Sequence, residues 1–288
     1  MNKDTTASPS LSDWATLPID PAQQSNLAAL GFSTMTPVQA ATLPLSLAGG
    51  DLIAQAKTGS GKTAAFAIPL LQKLNVGQLA VQSLVLCPTR ELADQVCTEI
   101  RRLARAYDNV KVLPLCGGVA LRGQTASLEN GAHIVVGTPG RVLDHLQRGN
   151  LALSTLTTLV LDEADRMLDM GFADDIQVIA KQTPATRQTL LFSATYPDTI
   201  AALSARLMRQ PQMVKVDTTH DTHAIEEWFF EVEPDTRLDA VTRLLNHYQP
   251  LDGSIDGTTD GVALGSNDGD ADGTTEGGQQ RLLGEAFR

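Results

Sequence analysis

The sequence predicts an α/β fold, a doubly wound and mainly parallel sheet with helices on both faces, followed by a disordered C-terminal tail. Three observations carry this expectation. Apolar runs alternate with helical patterns over about two hundred residues, the arrangement of repeated βαβ units. Hydrophobic content is 42% with aromatics at only 4%, and the runs are Ala, Leu and Val, which suits strands buried under helices on both sides. From Gly253 through Gly277 a glycine recurs at every fourth position, and such a Gly/Asp/Thr repeat cannot bury apolar surface.

In chain order the strand candidates are residues 51–55, 83–87, 110–113, 133–137, 158–161, 189–192 and 213–216. The first runs into Ala56-Lys57-Thr58-Gly59-Ser60-Gly61-Lys62-Thr63. Small residues there let backbone N–H groups curl round an anion, and a lysine and a hydroxyl follow at the start of a helix. Ala64-Ala65-Phe66-Ala67-Ile68 begins that helix, so strand, loop and helix stand in the order a phosphate-binding loop needs. Ala56 occupies a position where the generic pattern has glycine. In such a loop Lys62 reaches the β- and γ-phosphates and Thr63 ligates Mg²⁺.

The run Thr158-Leu159-Val160-Leu161 ends in Asp162-Glu163-Ala164-Asp165. It delivers carboxylates to the C-terminal edge of the sheet, where open α/β folds bind ligands. Asp162 is suited to hold Mg²⁺, directly or through water, and Glu163 to orient and deprotonate an attacking water. An isolated Asp-Glu pair after a strand is more often a solvated turn. The upstream phosphate loop reverses that preference.

Composition sets the outer bounds. A chain of 288 residues holds one large domain, or one domain and an appendage. It contains no apolar run near the roughly 18 residues of a membrane span, and Met1–Thr6 is polar rather than a signal-peptide core. Cys87, Cys97 and Cys116 form an odd set without CxxC spacing, which suits reduced thiols packed in a cytoplasmic protein. The net charge of −11 would weigh against a nucleic-acid partner if it were evenly spread. Residues 251–288 hold eight acids and two arginines, a net of −6 that leaves −5 for residues 1–250. A mildly acidic body binds RNA only through a local basic surface, with strong salt dependence. Asp268, Asp270, Asp272 and Gly273 copy half of a calcium loop, but Gln279 stands at the twelfth position, so an acidic linker is the better description. His220 and His223 have a spacing found in metal sites and are read as solvated.

The remaining motifs are Gly31–Gln39 (Gly-Phe-Ser-Thr-Met-Thr-Pro-Val-Gln), Pro88-Thr89-Arg90-Glu91-Leu92-Ala93, Gly117-Gly118, Thr138-Pro139-Gly140-Arg141 and Ser193-Ala194-Thr195. In identity and order they resemble the N-terminal half of DEAD-box ATP-dependent RNA helicases, over roughly residues 12–250. Leu86-Cys87-Pro88 and residues 165–172 resemble the bacterial DbpA branch of that family. The resemblance implies a flexible segment 1–11, a RecA-like ATP-binding domain over 12–217, a run-in to a second domain over 218–250, and the tail 251–288. It implies ATP and Mg²⁺ as ligands and RNA as partner, with ribosomal RNA the target in that branch.

Residue roles follow from the same resemblance. Phe32, Thr36, Gln39 and the loop Ala56–Thr63 bind ATP, Phe32 by stacking on adenine. The Gln39 amide meets adenine N6 and N7 with matched donor and acceptor. Trp14 stands where the family carries phenylalanine and either buttresses the adenine pocket or fills the core. Pro88, Thr89, Arg90, Gly117, Gly118, Thr138, Pro139, Gly140 and Arg141 face RNA, the arginines on phosphates. Ser193 and Thr195 hydrogen-bond Asp165 and couple the nucleotide site to RNA, or cap a helix beginning near Pro197.

Members of this family close two similar domains over ATP and RNA, and the second supplies arginine fingers. In this chain the glycine repeat stands where the next strand is expected, and residues 280–288 carry no helicase motif. The expectation is an ATP-binding half, a truncated product or a one-domain relative. It would be unable to unwind RNA unless a second domain or a partner chain supplies those arginines. Two other classes compete with it. A non-catalytic RNA- or helicase-binding module is favoured by the missing second domain and disfavoured by the intact Lys62, Asp162 and Glu163. A phosphate-loop DNA translocase is disfavoured by Gln39 and the Asp-Glu-Ala-Asp tetrad.

Overall fold

The computed structural model describes residues 13–216 and, beyond them, 228–231, 236, 239–240, 242–243 and 281–284. The proposed flexible segment 1–11, the His220/His223 pair and the glycine repeat all lie outside the described residues.

Within the first compact unit, seven parallel strands form one sheet. They are β1 (Leu52–Gln55), β2 (Ser83–Leu86), β3 (Val112–Leu115), β4 (Ile134–Gly137), β5 (Thr158–Leu161), β6 (Gln188–Ser193) and β7 (Gln212–Lys215), in the spatial order β3-β4-β2-β5-β6-β1-β7. All six pairings in that sheet are parallel. The doubly wound fold is therefore present.

Every second residue of a strand faces the same side, and the core divides accordingly. Leu52, Ala54, Val85, Val160, Leu190 and Phe192 meet α2 (Pro37–Leu47), α3 (Lys62–Gln72) and α4 (Arg90–Leu103) on one face. Ile53, Leu84, Leu86, Leu159, Leu161 and Leu191 meet α6 (Pro139–Gln147), α7 (Ala164–Asp169), α8 (Ala173–Lys181) and α9 (Asp198–Leu207) on the other. Two further helices are α1 (Pro21–Ala29) and α5 (Leu121–Glu129). Each fully buried leucine or phenylalanine in these layers contributes about 1.5–3 kcal/mol. Phe66 of α3 packs edge-on against Phe192 of β6, with ring centroids 5.4 Å apart, so the helix behind the phosphate loop is fixed to a neighbouring strand.

A buried carboxylate secures the opposite end of β1. Asp51 Oδ1 accepts from the Thr189 N–H at 2.8 Å and Oδ2 from the Arg209 N–H at 2.7 Å. Leaving either amide unpaired in the interior would cost about 1–3 kcal/mol.

Most strand boundaries shift by at most a single residue, and two differences go further. β3 begins and ends two residues later than the run Val110–Leu113 suggests and includes Pro114. Proline normally interrupts a sheet, but β3 pairs only with β4 at the sheet edge, where a missing N–H is tolerated. In the second compact unit, Arg281–Gly284 pairs antiparallel with Trp228–Glu231, so a segment expected to be pure tail carries a strand, β9, against β8. Those four residues fall outside the glycine repeat and can form a backbone ladder.

Candidate nucleotide site and nucleic-acid interface

The sheet order groups the motifs. Strands β5, β6 and β1 are adjacent and end, respectively, in Asp162–Asp165, Ser193–Thr195 and Ala56–Thr63. Strands β3, β4 and β2 are also adjacent and end in Gly117–Gly118, Thr138–Arg141 and Pro88–Arg90. One half of the C-terminal edge thus carries the phosphate loop and carboxylates, and the other carries the arginines.

On the first half, Gly61 adopts φ 89° as the cap of α3, a left-handed conformation natural to glycine. A Cβ there would sit 2.6 Å from Gln39 Nε2. Lys62 is 6% exposed and donates from Nζ to the Ala56 carbonyl at 3.0 Å, turning its ammonium into the loop it belongs to. Gln39, 1% exposed, donates from Nε2 to the Gly61 carbonyl at 3.1 Å. Its Oε1 accepts from the Thr36 N–H at 2.9 Å, while Thr36 Oγ1 accepts from the Gln39 N–H at 3.4 Å. Thr36 and Gln39 are therefore a capping box that starts α2 and ties that helix to the phosphate loop.

Phe32 lines a separate cleft of about 350 Å³ with Trp14, Gln24 and Ser33, which neither Gln39 nor the loop borders. Trp14 meets Phe32 edge-on at 6.2 Å and is itself buried in the core. Both roles considered for Trp14 are compatible with that contact.

The carboxylates sit in contrasting settings. Asp162 is 3% exposed, and burial raises its carboxyl to about 6 while the Lys62 charge pulls the other way. Its Oδ1 accepts from the Glu163 N–H at 3.0 Å. Glu163 has φ 52°, strained for a residue with a side chain at about 1–3 kcal/mol. That turn carries its carboxylate to the loop, with Thr58 Oγ1 3.5 Å from Oε1 and Arg166 3.5 Å from Oε2. A hard-oxygen set of Thr63, Asp162 and phosphate matches what Mg²⁺ accepts. No cluster of three or more His, Cys, Asp or Glu able to hold a metal occurs among the described residues.

Asp165 links strand ends. Its backbone N–H donates to Ser193 Oγ at 3.2 Å, and its Oδ2 accepts from both the Thr195 N–H and Thr195 Oγ1 at 2.9 Å. Burial alone would raise its carboxyl, but the hydrogen bonds from Thr195 and Ser193 hold it below the usual carboxylate range. Pro197 is itself the cap of α9 and no side chain caps that helix, whereas Ser193 satisfies the first turn of α7.

On the second half, Arg90 is half exposed, with Nε 3.7 Å from Asp94 Oδ2, an exposed pair of little energetic weight. Its guanidinium lies over Gly118, 3.3 Å from where a Cβ would be. Thr89 caps α4 by accepting from the Leu92 N–H at 3.2 Å. Arg141 donates to the Val119 carbonyl at 3.0 Å and to Gln124 Oε1 at 2.7 Å. Pro88 and Pro139 are buried and shape their turns. Gly118 and Gly140 are exposed, and Gly117 and Thr138 are partly so. Gly137 is required by close approach, since a Cβ would lie 2.4 Å from the Leu115 carbonyl oxygen.

All three cysteines are buried and unpaired. Burial raises Cys97 to about 12 and Cys116 to about 11, and raises Cys87 well above the usual range, so all three pack as inert thiols. No helix among the described residues is long and apolar enough to cross a membrane.

The profile of DEAD/DEAH box helicases matches residues 36–203, more than half of the chain. The chain belongs to this family. Among relatives of this DEAD-box chain, the ATP-dependent RNA helicase DbpA of Escherichia coli (strain K12) is 55% identical over 232 residues, 81% of this chain and 51% of that protein. The DEAD-box ATP-dependent RNA helicase CshA of Geobacillus kaustophilus (strain HTA426) is 49% identical over 222 residues, 77% of this chain and 47% of that protein. The chain spans about half the length of these curated relatives. A DEAD box protein from Methanococcus jannaschii superposes with a TM-score of 0.69 at 39% identity, over 81% of this chain and 63% of that one. That likeness identifies the sheet as the RecA-like form.

Gln124 and His145 lie within helical patterns, where a lone polar residue reads as solvated, and no spacing in the sequence marks Asn150 or Asp51.

Proposed function

We propose that this DEAD-box chain is the ATP-binding half of an ATP-dependent RNA helicase, with ATP–Mg²⁺ on the β5-β6-β1 edge and RNA phosphates on the β3-β4-β2 edge. The observation that carries this is the convergence of Lys62, Asp162 and Glu163 from the ends of β1 and β5, the two strands that flank β6, with Asp162 buried and under the influence of the lysine charge.

Binding exchanges internal contacts for ligand contacts. Lys62 leaves the Ala56 carbonyl for the β- and γ-phosphates, replacing a hydrogen bond to a neutral acceptor with one to an anion. Gln39 turns its amide from the Gly61 carbonyl toward adenine, so base recognition and loop opening are one event. Thr63 and Asp162 would hold Mg²⁺, which would supply positive charge to offset that developing on the phosphates. Glu163, held beside Thr58, orients water for in-line attack and accepts its proton. Asp165, Ser193 and Thr195 transmit changes between the two edges. Arg90, Arg141 and the Gly117–Gly118 turn hold RNA phosphates.

Ribosomal RNA is the target class we favour, from the name of no residue but from the likeness to the DbpA branch. Three raised, buried thiols suit a reducing cytoplasm. Residues 1–288 alone should hydrolyse ATP near background, because an arginine finger is worth about 10³–10⁵ in rate and is expected from a second domain or a partner chain.

The test is ATP hydrolysis by residues 1–288 with and without RNA, with Lys62→Ala as control and ATP binding followed in parallel. Binding without turnover supports a half-site. RNA-stimulated, Lys62-dependent turnover would mean that these residues complete the site by themselves or by self-association. Absence of ATP binding would overturn the reading.

A further inference from the structure

A buried polar cluster lies beneath the arginine half. Gln124 of α5 is only 7% exposed, and a buried amide is costly unless all its groups are paired. Its Nε2 donates to the Cys116 carbonyl at 3.0 Å, the residue just before Gly117-Gly118. Its Oε1 accepts from the Arg141 guanidinium at 2.7 Å and lies 3.1 Å from His145 Nε2. The same Arg141 nitrogen donates to the Val119 carbonyl at 3.0 Å, just after the glycine pair. One amide therefore grips both sides of the cluster, the turn before its glycines and the arginine that holds the turn after them.

The hydrogen-bond chemistry gives that amide a single orientation. The Asn150 amide nitrogen lies 3.4 Å from His145 Nδ1 and donates to Thr125 Oγ1 at 3.1 Å. An amide NH₂ only donates, so Nδ1 is the acceptor and the imidazole proton sits on Nε2. Nε2–H then needs an oxygen, which Gln124 supplies. Turning the amide over would set NH₂ against both Arg141 and His145 and set oxygen against the Cys116 carbonyl.

We propose that Gln124 is a positioning residue that locks Arg141 and the Gly117–Gly118 turn into one arrangement matched to neighbouring phosphates of an RNA strand, with His145 and Asn150 fixing its orientation. This rests on the RNA reading of the arginine half. Gln124 itself touches no RNA; it acts through Arg141 and the turn.

The test is a double-mutant cycle on residues 1–288 with Gln124→Met and Arg141→Met, read as affinity for a fluorescently labelled oligouridine across a salt series. Gln124→Met should weaken binding about tenfold and reduce the salt slope by about one, the signature of one lost phosphate contact. In the Arg141→Met background it should add less than about twofold. Additive losses would overturn the proposal. Gln124→Glu keeps an acceptor for Arg141 but neutralises its charge and loses the donor to Cys116, so its salt slope should fall as in Gln124→Met. A slope kept at the wild-type value would also overturn it. Independently of RNA, the Arg141 Nη–H signals in a ¹⁵N-arginine spectrum should be slow to exchange and visible in the wild type and Gln124→Glu and be lost in Gln124→Met. If the wild type binds no oligouridine, the RNA reading fails, while an unchanged Arg141 signal in Gln124→Met would sink the lock itself.

Discussion

The two halves of one sheet edge are prepared in opposite ways. On the β5-β6-β1 half the binding groups are turned inward: Lys62 rests on the Ala56 carbonyl, and Gln39 on the Gly61 carbonyl. On the β3-β4-β2 half the groups face outward from a network already satisfied beneath them, with Gln124 gripping Arg141 and Cys116. Ligand binding therefore requires reorganisation on the first half and little on the second. A loop that must admit a highly charged ligand closes on itself without it, because a buried lysine and carboxylate need partners. A surface that meets a flexible strand gains more from being fixed in advance, since the ordering cost then falls on one partner only.

The largest expected effect comes from removing the charge that the first half cannot solvate. Asp162→Asn should abolish measurable Mg²⁺-dependent ATP binding and yet raise the melting temperature of the nucleotide-free chain. The wild-type carboxylate is buried with its pKa raised to about 6, whereas an amide is neutral at every pH. Calorimetry and thermal unfolding check the two arms, and a lower melting temperature would contradict this account of the half-site.

Next in size is a backbone lesion in the second half. Gly137→Ala puts a methyl group 2.4 Å from the Leu115 carbonyl oxygen and 2.9 Å from a Val142 methyl. It should destabilise the chain by about 1–3 kcal/mol, the range for overpacking a core, and weaken RNA binding more than ATP binding. A smaller, selective effect is expected between the halves. Thr195→Ala removes the hydroxyl on Asp165 Oδ2 and should leave each ligand's separate affinity within about twofold. The mutual enhancement of ATP and RNA binding should fall, as measured by titrating each in the presence of the other.

Much of this division was legible in the sequence, and the reasons are local. Ala56–Thr63 after a strand and Asp162–Glu163 at the end of another are short-range patterns, and the pleat alternation of Leu52, Ile53 and Ala54 sorts the core faces without further information. What was hidden depends on long-range contact. Pro114 looked like the end of a strand because nothing local says that β3 is an edge. Ser193 looked like a cap for the following helix, but its acceptor role is to Asp165, 28 residues away in sequence. The left-handed turn at Glu163 has no glycine to announce it. Gln124 sits 17 residues from Arg141 and 21 from His145, and only the approach of α5 to α6 brings them together.

The smallest effect is a pH dependence confined to the second half. Burial, then the Arg141 charge, lowers the His145 pKa below its ordinary 6.5, so the folded state binds this proton less readily than the unfolded chain. The stability it contributes is complete above about pH 6.5 and is lost as pH falls toward the folded value. The melting temperature of the wild type relative to that of His145→Gln should therefore fall between pH 7.5 and 5.5, the opposite trend from the raised Asp162 carboxyl being common to both. A constant difference would remove His145 from the network's energetics.

The most direct test of the central claim, a phosphate loop closed by Lys62 and Gln39 until ATP replaces both contacts, is a calorimetric titration of residues 1–288 with ATP–Mg²⁺ and GTP–Mg²⁺. The wild type, Lys62→Ala and Gln39→Ala would be compared. The wild type should bind ATP and exclude GTP, Lys62→Ala should bind neither, and Gln39→Ala should lose the preference for ATP. Equal ATP affinity in the wild type and Lys62→Ala would contradict that claim.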